Sequence, residues 1–189
     1  MNNQEKSAGI SRGTGKTRIL MCVIGLVLFA VLVLVDRITK NLAVVHLKDR
    51  PDIPVVDGVF VLQYLENRGA AFGILQGQRT AFLIITIAVL ALIVYVYWRA
   101  PVRRRFLFLR FVLVLIGAGA IGNLADRAAN GYVVDFLYLI GINFPIFNVA
   151  DIYVTVAAAL LIIMALFVYK DKDFKELWTA LGLKSRKKD

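Results

Sequence analysis

Four long apolar runs dominate the chain: Ile19 to Val35, Thr80 to Trp98, Phe106 to Ile121 and Ile152 to Tyr169. Each is close to the ~20 residues that a helix needs to cross ~30 Å of hydrocarbon. The pattern predicts four membrane-spanning helices, over about 19–36, 80–98, 106–123 and 151–169. Arg110 lies near the start of the third, where a long side chain is expected to snorkel to the lipid headgroups. Between the first two runs the pattern changes. Asp52-Ile53-Pro54 and Val56-Asp57-Gly58 are turn signals, and Val59 to Leu65 is rich in β-branched and aromatic residues, so the 47–79 loop is expected to hold a small β element. Ala70 to Leu75 is apolar but too short to span, and predicts a short surface helix. The fold class that follows is mainly α: an integral membrane four-helix bundle with a small extracytoplasmic β element and a short surface helix.

Composition supports that frame. With 59% hydrophobic residues and a mean hydropathy of +0.72, the 189-residue chain reads as one compact membrane domain, 19–169, between basic tails at 1–18 and 170–189. The first run exceeds a usual signal-peptide core, and Asp36-Arg37 follows it in place of a small-residue cleavage site, so it is expected to be retained. The net charge of +10 is concentrated beside the runs. Lys6, Arg12, Lys16 and Arg18 precede the first; Arg99, Arg103, Arg104, Arg105 and Arg110 flank the second loop; Lys170, Lys172, Lys175, Lys184, Arg186, Lys187 and Lys188 follow the fourth. By the positive-inside rule both tails and the second loop face the cytoplasm, and the other two loops face outward. Basic residues spread over three membrane flanks do not build a nucleic-acid groove. They are most simply topology signals and contacts to anionic lipid.

The candidate chemistry is carboxylic. Cys22 and His46 are the sole members of their types, which excludes an intrachain disulfide and metal sites built on thiolates or histidine clusters; neither cofactor nor metal is expected. Asp36 and Lys40 stand four apart on one helix and can pair. Asn123 shares a helix face with Asp126 and Arg127, and an aspartate beside an arginine suits an orienting role. Asn148 and Asp151 repeat that Asn-x-Ala-Asp spacing, with Thr155 one turn deeper. Taken alone, their helix reads equally well as a capped terminus, with Asn148 as N-cap and Asp151 at the positive end of the dipole.

Asp135 changes the balance. Apolar residues surround it, and no basic residue occurs between Arg127 and Lys170. Desolvation there favours the protonated acid, and a second carboxylate nearby reinforces the effect. The 15 residues between Asp135 and Asp151 include Gly141, Asn143 and Pro145, enough to fold back and join the two. Two acids sharing a proton can take one from water and give one to a scissile amide. Gly117, Ala118, Gly119, Ala120 and Gly122 form a small-residue patch expected to serve packing within the bundle, while Trp98 and Tyr169 are expected interfacial anchors.

Together, Asp36 with Lys40, Asn67-Arg68-Gly69-Ala70-Ala71-Phe72, Gly122-Asn123-Leu124-Ala125-Asp126-Arg127, Val134-Asp135-Phe136 and Phe147-Asn148-Val149-Ala150-Asp151 resemble the bacterial lipoprotein signal peptidases, or signal peptidase II. The family often has a small polar residue where Arg68 stands. The resemblance, over about Ile19 to Tyr169, implies a multi-pass aspartyl endopeptidase of the bacterial cytoplasmic (inner) membrane, active at the extracytoplasmic side. It implies cleavage of diacylglyceryl-modified prolipoproteins just before the modified cysteine. Asp135 and Asp151 would be the catalytic dyad. Asp36, Lys40, Asn67, Gly69, Asn123, Asp126, Arg127 and Asn148 would bind substrate or support the site. The expected partners are that substrate and membrane lipid, with the enzyme a monomer and nucleic acid not involved. A small proton- or ion-coupled transporter is the alternative, since carboxylates facing a bundle interior also mark ion pathways. It would place an ionisable group near the midplane, whereas these acids gather at one end.

Overall fold

A computed structural model describes residues 15–69 and 79–183. The expected surface helix at Ala70 to Leu75 lies outside the described residues. Helix α1 runs over Gly15–Leu47, α2 over Arg79–Arg99, α3 over Leu107–Asn130 and α4 over Val149–Ile163, prolonged by a π-turn at Met164–Val168. All four are long and apolar enough to cross a membrane, as the hydrophobic pattern predicts. Most of the best 18-residue stretch of α3 is buried (56%), against 11% or less for the other three helices. So α3 is the hub, and the large apolar side chains of α1, α2 and α4 that remain uncovered, such as Leu26, Val94 and Leu166, belong against lipid.

The glycines of α3 let its neighbours approach. A β-carbon on Gly119 would meet the carbonyl oxygen of Ala150 on α4, and one on Gly122 would meet the Asp36 carboxylate on α1. Gly117 faces Phe29 and Ile93, on α1 and α2. Packing within the bundle thus accounts for the small-residue patch.

At one end of the bundle, strands β1 (Ile53–Val56), β2 (Phe60–Asn67) and β3 (Val133–Tyr138) form an antiparallel sheet in the order β1-β2-β3. The first two strands are the β element expected of the 47–79 loop; β3 is an addition. Its apolar run lacks the alternation of a half-buried strand because Val133 to Phe136 are all buried, between β2 and the bundle. Register places Asp135 opposite Leu65 and Val133 opposite Asn67. Beyond β3 the chain doubles back, and Phe147 pairs with Leu137 through Phe147 N–H to Leu137 O at 3.0 Å and the reverse bond at 2.8 Å. That return delivers α4 beside the strand.

The opposite end corrects one expectation and adds an element. Arg110 does not snorkel outward: it is 4% exposed. Because α3 is central, its flank is covered by α2, and the guanidinium turns onto that helix's unpaired C-terminal carbonyls, donating to Tyr97 O at 2.6 Å and Ala100 O at 2.7 Å. It also lies over the Tyr97 ring, 4.7 Å from its centroid. Tyr97 in turn donates from its hydroxyl to Met21 O on α1 at 2.7 Å, which joins three helices through one residue. The segment expected to be a basic tail begins with a helix, α5 (Asp171–Ala180). Two of its acids turn inward: Asp173 meets Arg105 at 2.6 Å and Glu176 meets Arg103 at 3.1 Å. Tyr169 packs between Phe106 and Phe174.

Candidate active site

The polar residues of the bundle converge at the sheet end, and helix termini explain how. Asn148 is the N-cap of α4: its side-chain oxygen accepts from the Asp151 N–H at 3.0 Å, and the Asp151 carboxylate accepts from the Asn148 N–H at 3.1 Å. This reciprocal capping box satisfies two backbone donors that a helix start leaves open. A third, the Ala150 N–H, donates to Asp36 at 3.0 Å from across the bundle. The capped-terminus reading of this segment is therefore correct, and it does not exhaust the segment's role. The Asn148 amide also donates to Asp135 Oδ1 at 2.6 Å. One residue thus touches both candidate acids, through its backbone to Asp151 and through its side chain to Asp135.

Each acid has a further donor. Asn67, at the end of β2, donates to Asp135 Oδ2 at 2.8 Å, and its own oxygen accepts from the Gly69 N–H at 3.0 Å. Asn123 donates to Asp151 Oδ1 at 2.8 Å while its oxygen accepts from Asn148 at 3.1 Å and from Lys40 at 2.8 Å. Three asparagines therefore fix the two carboxyl groups, each engaged on both sides of its amide. An amide can serve an acid in either protonation state without itself exchanging a proton.

Behind them lies a charged layer. Lys40, 1% exposed, sits 3.0 Å from Asp36 and 3.1 Å from Asp126. The i,i+4 pairing expected of Asp36 and Lys40 is present, and the ammonium has more partners than the spacing foretells. Asp126 differs from expectation in its partner. Its ion pairs are with Lys40 and with Arg37 at 2.8 Å, and the adjacent Arg127 reaches elsewhere, donating to Gly69 O at 3.0 Å and lying over the Phe82 ring. Neighbours on a helix point about 100° apart, so sequence adjacency does not place two side chains together. Asp126 also accepts weakly from the Val134 N–H at 3.4 Å, beside Asp135.

All ten residues selected from the sequence lie in this one assembly or directly against it. Arg37 joins it without having been selected; the available signal was a cation beside Asp36 at the end of a membrane span. Thr155 stays exposed one turn below Asp151. Arg68 points away, pairing with Glu66 at 3.2 Å and lying over the Tyr132 ring.

Asp135 is 1% exposed. Burial pushes its carboxyl up to about 7; the Asn67 amide bond works against this and the nearby Asp151 charge adds to it. An acid poised near neutrality between two oriented amides, beside a second carboxyl group, can give or take a proton at little cost.

A family model described as signal peptidase (SPase) II matches residues 28–167. The chain belongs to this family. Every residue of the assembly falls inside the match, and the family consists of peptidases of the aspartic type. Among curated proteins, a lipoprotein signal peptidase of Symbiobacterium thermophilum is 43% identical over 148 residues, spanning 77% of this chain and 96% of that one. One from Streptococcus thermophilus is 43% identical over 129 residues, 68% of this chain and 83% of its own. A bacterial membrane enzyme solved in meso at 1.9 Å resolution superimposes with a TM-score of 0.66 at 34% identity, covering 85% of this chain and 99% of that one. Membership in signal peptidase II makes the chain a multi-pass membrane peptidase and removes the transporter alternative.

Proposed function

We propose that the protein cleaves the signal peptide from diacylglyceryl-modified prolipoproteins, immediately before the modified cysteine, with Asp135 and Asp151 activating one water. The observation that carries this reading is the Asn148 bridge, which gives both carboxyl groups a common donor in a buried, oriented setting. The named activity of the relatives supports the substrate class.

In the first step, the Asp151 carboxylate takes a proton as water oxygen bonds to the scissile carbonyl carbon. Protonated Asp135 gives its proton to the carbonyl oxygen, producing a neutral tetrahedral diol. In the second step, Asp151 returns its proton to the amide nitrogen. The C–N bond breaks, one diol hydroxyl passes its proton to Asp135, and the dyad regains its starting state. The products are the signal peptide's carboxylic acid and the amine of the diacylglyceryl cysteine. The pKa of Asp135 near 7 favours it as the initial acid. Asp36, Lys40, Asn123 and Asp126 hold the dyad's supports, while Asn67, Gly69 and Arg127 fix the strand edge beside Asp135.

The basic flanks support an orientation with both termini in the cytoplasm and the sheet end outside, in the bacterial cytoplasmic membrane. A dyad at that boundary lies where a signal peptide's apolar core ends. Asp135→Asn and Asp151→Asn, assayed separately in detergent on a diacylglyceryl prolipoprotein, should each lower kcat/KM by about 10³-fold or more. Wild-type cleavage by either correctly inserted variant would overturn the dyad.

A further inference from the structure

We propose that Arg37 is a positioning residue that balances the charge of the buried assembly so that the dyad holds a single proton. The inference rests on the peptidase reading above and deepens it.

The charged groups come from every element around the dyad. Helix α1 supplies Asp36, Arg37 and Lys40; α3 supplies Asp126 and Arg127; β3 supplies Asp135; α4 supplies Asp151. Beyond Asn67, which touches Asp135 directly, the charges on β2 and its flank are the half-buried Glu66 and its partners, Arg68 at 3.2 Å and Lys48, from the chain just after α1, at 3.0 Å. Residues 70–78 contain no charged side chain. Within the assembly the carboxyl groups outnumber the cations by one. Electroneutrality is therefore reached when one carboxyl group carries a proton, and the hydrolysis needs that same state, one acid and one base. Unbalanced charge in such a buried site is costly, so the count acts as a constraint on protonation.

Arg37 is suited to this role by its position. Asp126 is 1% exposed and is shared by Arg37 at 2.8 Å and Lys40 at 3.1 Å. With Arg37 neutralising Asp126, Lys40 is free to pair with Asp36 and to donate to Asn123, which holds Asp151. Without Arg37, the ammonium of Lys40 would be the sole cation paired with two buried aspartates, and the assembly would reach neutrality only by binding a second proton. When that second proton settles on the dyad, both of its carboxyl groups are protonated and no base is left for water. The Arg37 side chain is itself 50% exposed, so its replacement leaves no cavity in the core.

The test is the pH profile of kcat/KM on a diacylglyceryl prolipopeptide for wild type, Arg37→Lys, Arg37→Gln and Arg37→Glu, with Asp135→Asn and Asp151→Asn alongside. A unit charge about 10 Å away, at an effective dielectric of about 20, moves a titration by about one pH unit. Arg37→Gln should shift the acid limb upward by about that amount. Arg37→Glu should shift it further, and Arg37→Lys should retain the wild-type limb. Profiles of unchanged position for Arg37→Gln and Arg37→Glu, even at reduced height, would overturn the inference, as would an Arg37→Lys limb displaced like that of Arg37→Gln. Activity surviving in Asp135→Asn or Asp151→Asn would instead bring down the dyad reading, and this inference with it.

Discussion

Each end of the bundle buries a cation, and the two cations are satisfied in opposite ways. At the α5 end, the Arg110 guanidinium is held by the carbonyls of Tyr97 and Ala100. Among the described residues no carboxylate pairs with it. At the sheet end, Lys40 is held by two carboxylates and an asparagine, and the carboxylates are linked in turn to further side chains. Backbone carbonyls are fixed dipoles that cannot take up a proton at ordinary pH, so the α5 end is a fastening. Side-chain acids linked by amides can redistribute a proton among themselves, so the sheet end can do chemistry. A buried charge marks function, on this comparison, only where its partners can also titrate.

Removing Lys40 should break the comparison most severely. Lys40→Met would leave Asp36 and Asp126 without their common cation, and stripping one partner from a buried ion pair costs about 3–5 kcal/mol. Unfolding in mixed micelles should register that loss, and cleavage should fall with it because Asn123 loses the donor that orients it. A Lys40→Met protein of wild-type stability would mean that the charged layer contributes nothing to the fold.

The pH dependence of stability should separate the ends next. The folded value of Asp135, about 7, lies above its unfolded value of about 3.8, so the folded state binds the extra proton between them. Its contribution to stability is complete below about 3.8 and is lost as pH rises through about 7, a decline of roughly 4 kcal/mol in all. Asp135→Asn should flatten this slope. Because the substituted amide would present a donor to one of the two amides that now donate to Asp135, the variant's whole curve should also shift by a constant. Arg110→Met should leave the slope intact. Unfolding measured at about pH 4, 6 and 8 would decide, and a slope that persists in Asp135→Asn would assign the titration to another group.

Arg110→Met is the third contrast. Losing two charge-assisted hydrogen bonds to the end of α2 should cost about 2 kcal/mol. The kcat/KM of the protein that remains folded should stay within about twofold of wild type, because among the described residues no hydrogen bond or ion pair joins the Arg110 side chain to the dyad or its supports. A selective loss of activity would link the two ends.

These contrasts also explain what the sequence can reveal. The spans are legible because a hydrophobic run near 20 residues has few alternatives, and the clustering of Asp135 with Asp151 follows from spacing and motif. The strand carrying Asp135 is not, because full burial removes the alternation that identifies a strand and its partner β2 lies far away in sequence. Arg110 misleads for a related reason: its position near a span end is compatible with headgroups and with a neighbouring helix terminus, and only the packing order chooses. Helix α5 is hidden by its charge. Asp173 and Glu176 look like a solvated tail until Arg105 and Arg103 are brought opposite them.

The smallest expected effect tests whether α5 belongs to the fastening or merely rests on it. Arg103 and Glu176 pair at 3.1 Å with side chains 36% and 27% exposed, so solvent screens them and their ordering costs entropy. The pair at Arg105 differs, because Asp173 is 4% exposed and also accepts from the Lys170 N–H at the start of α5. Glu176→Gln should therefore change stability by less than about 1 kcal/mol, and even less at high salt. Asp173→Asn should cost about 1–2 kcal/mol, because it weakens an N-terminal cap and an ion pair together. If the two variants were equally mild, α5 would be a surface appendage and the fastening would reduce to Arg110 and Tyr97. If Glu176→Gln were the costlier, exposure would be a poor guide to the strength of ion pairs at this end, and the contrast between buried and exposed partners would have to be drawn elsewhere.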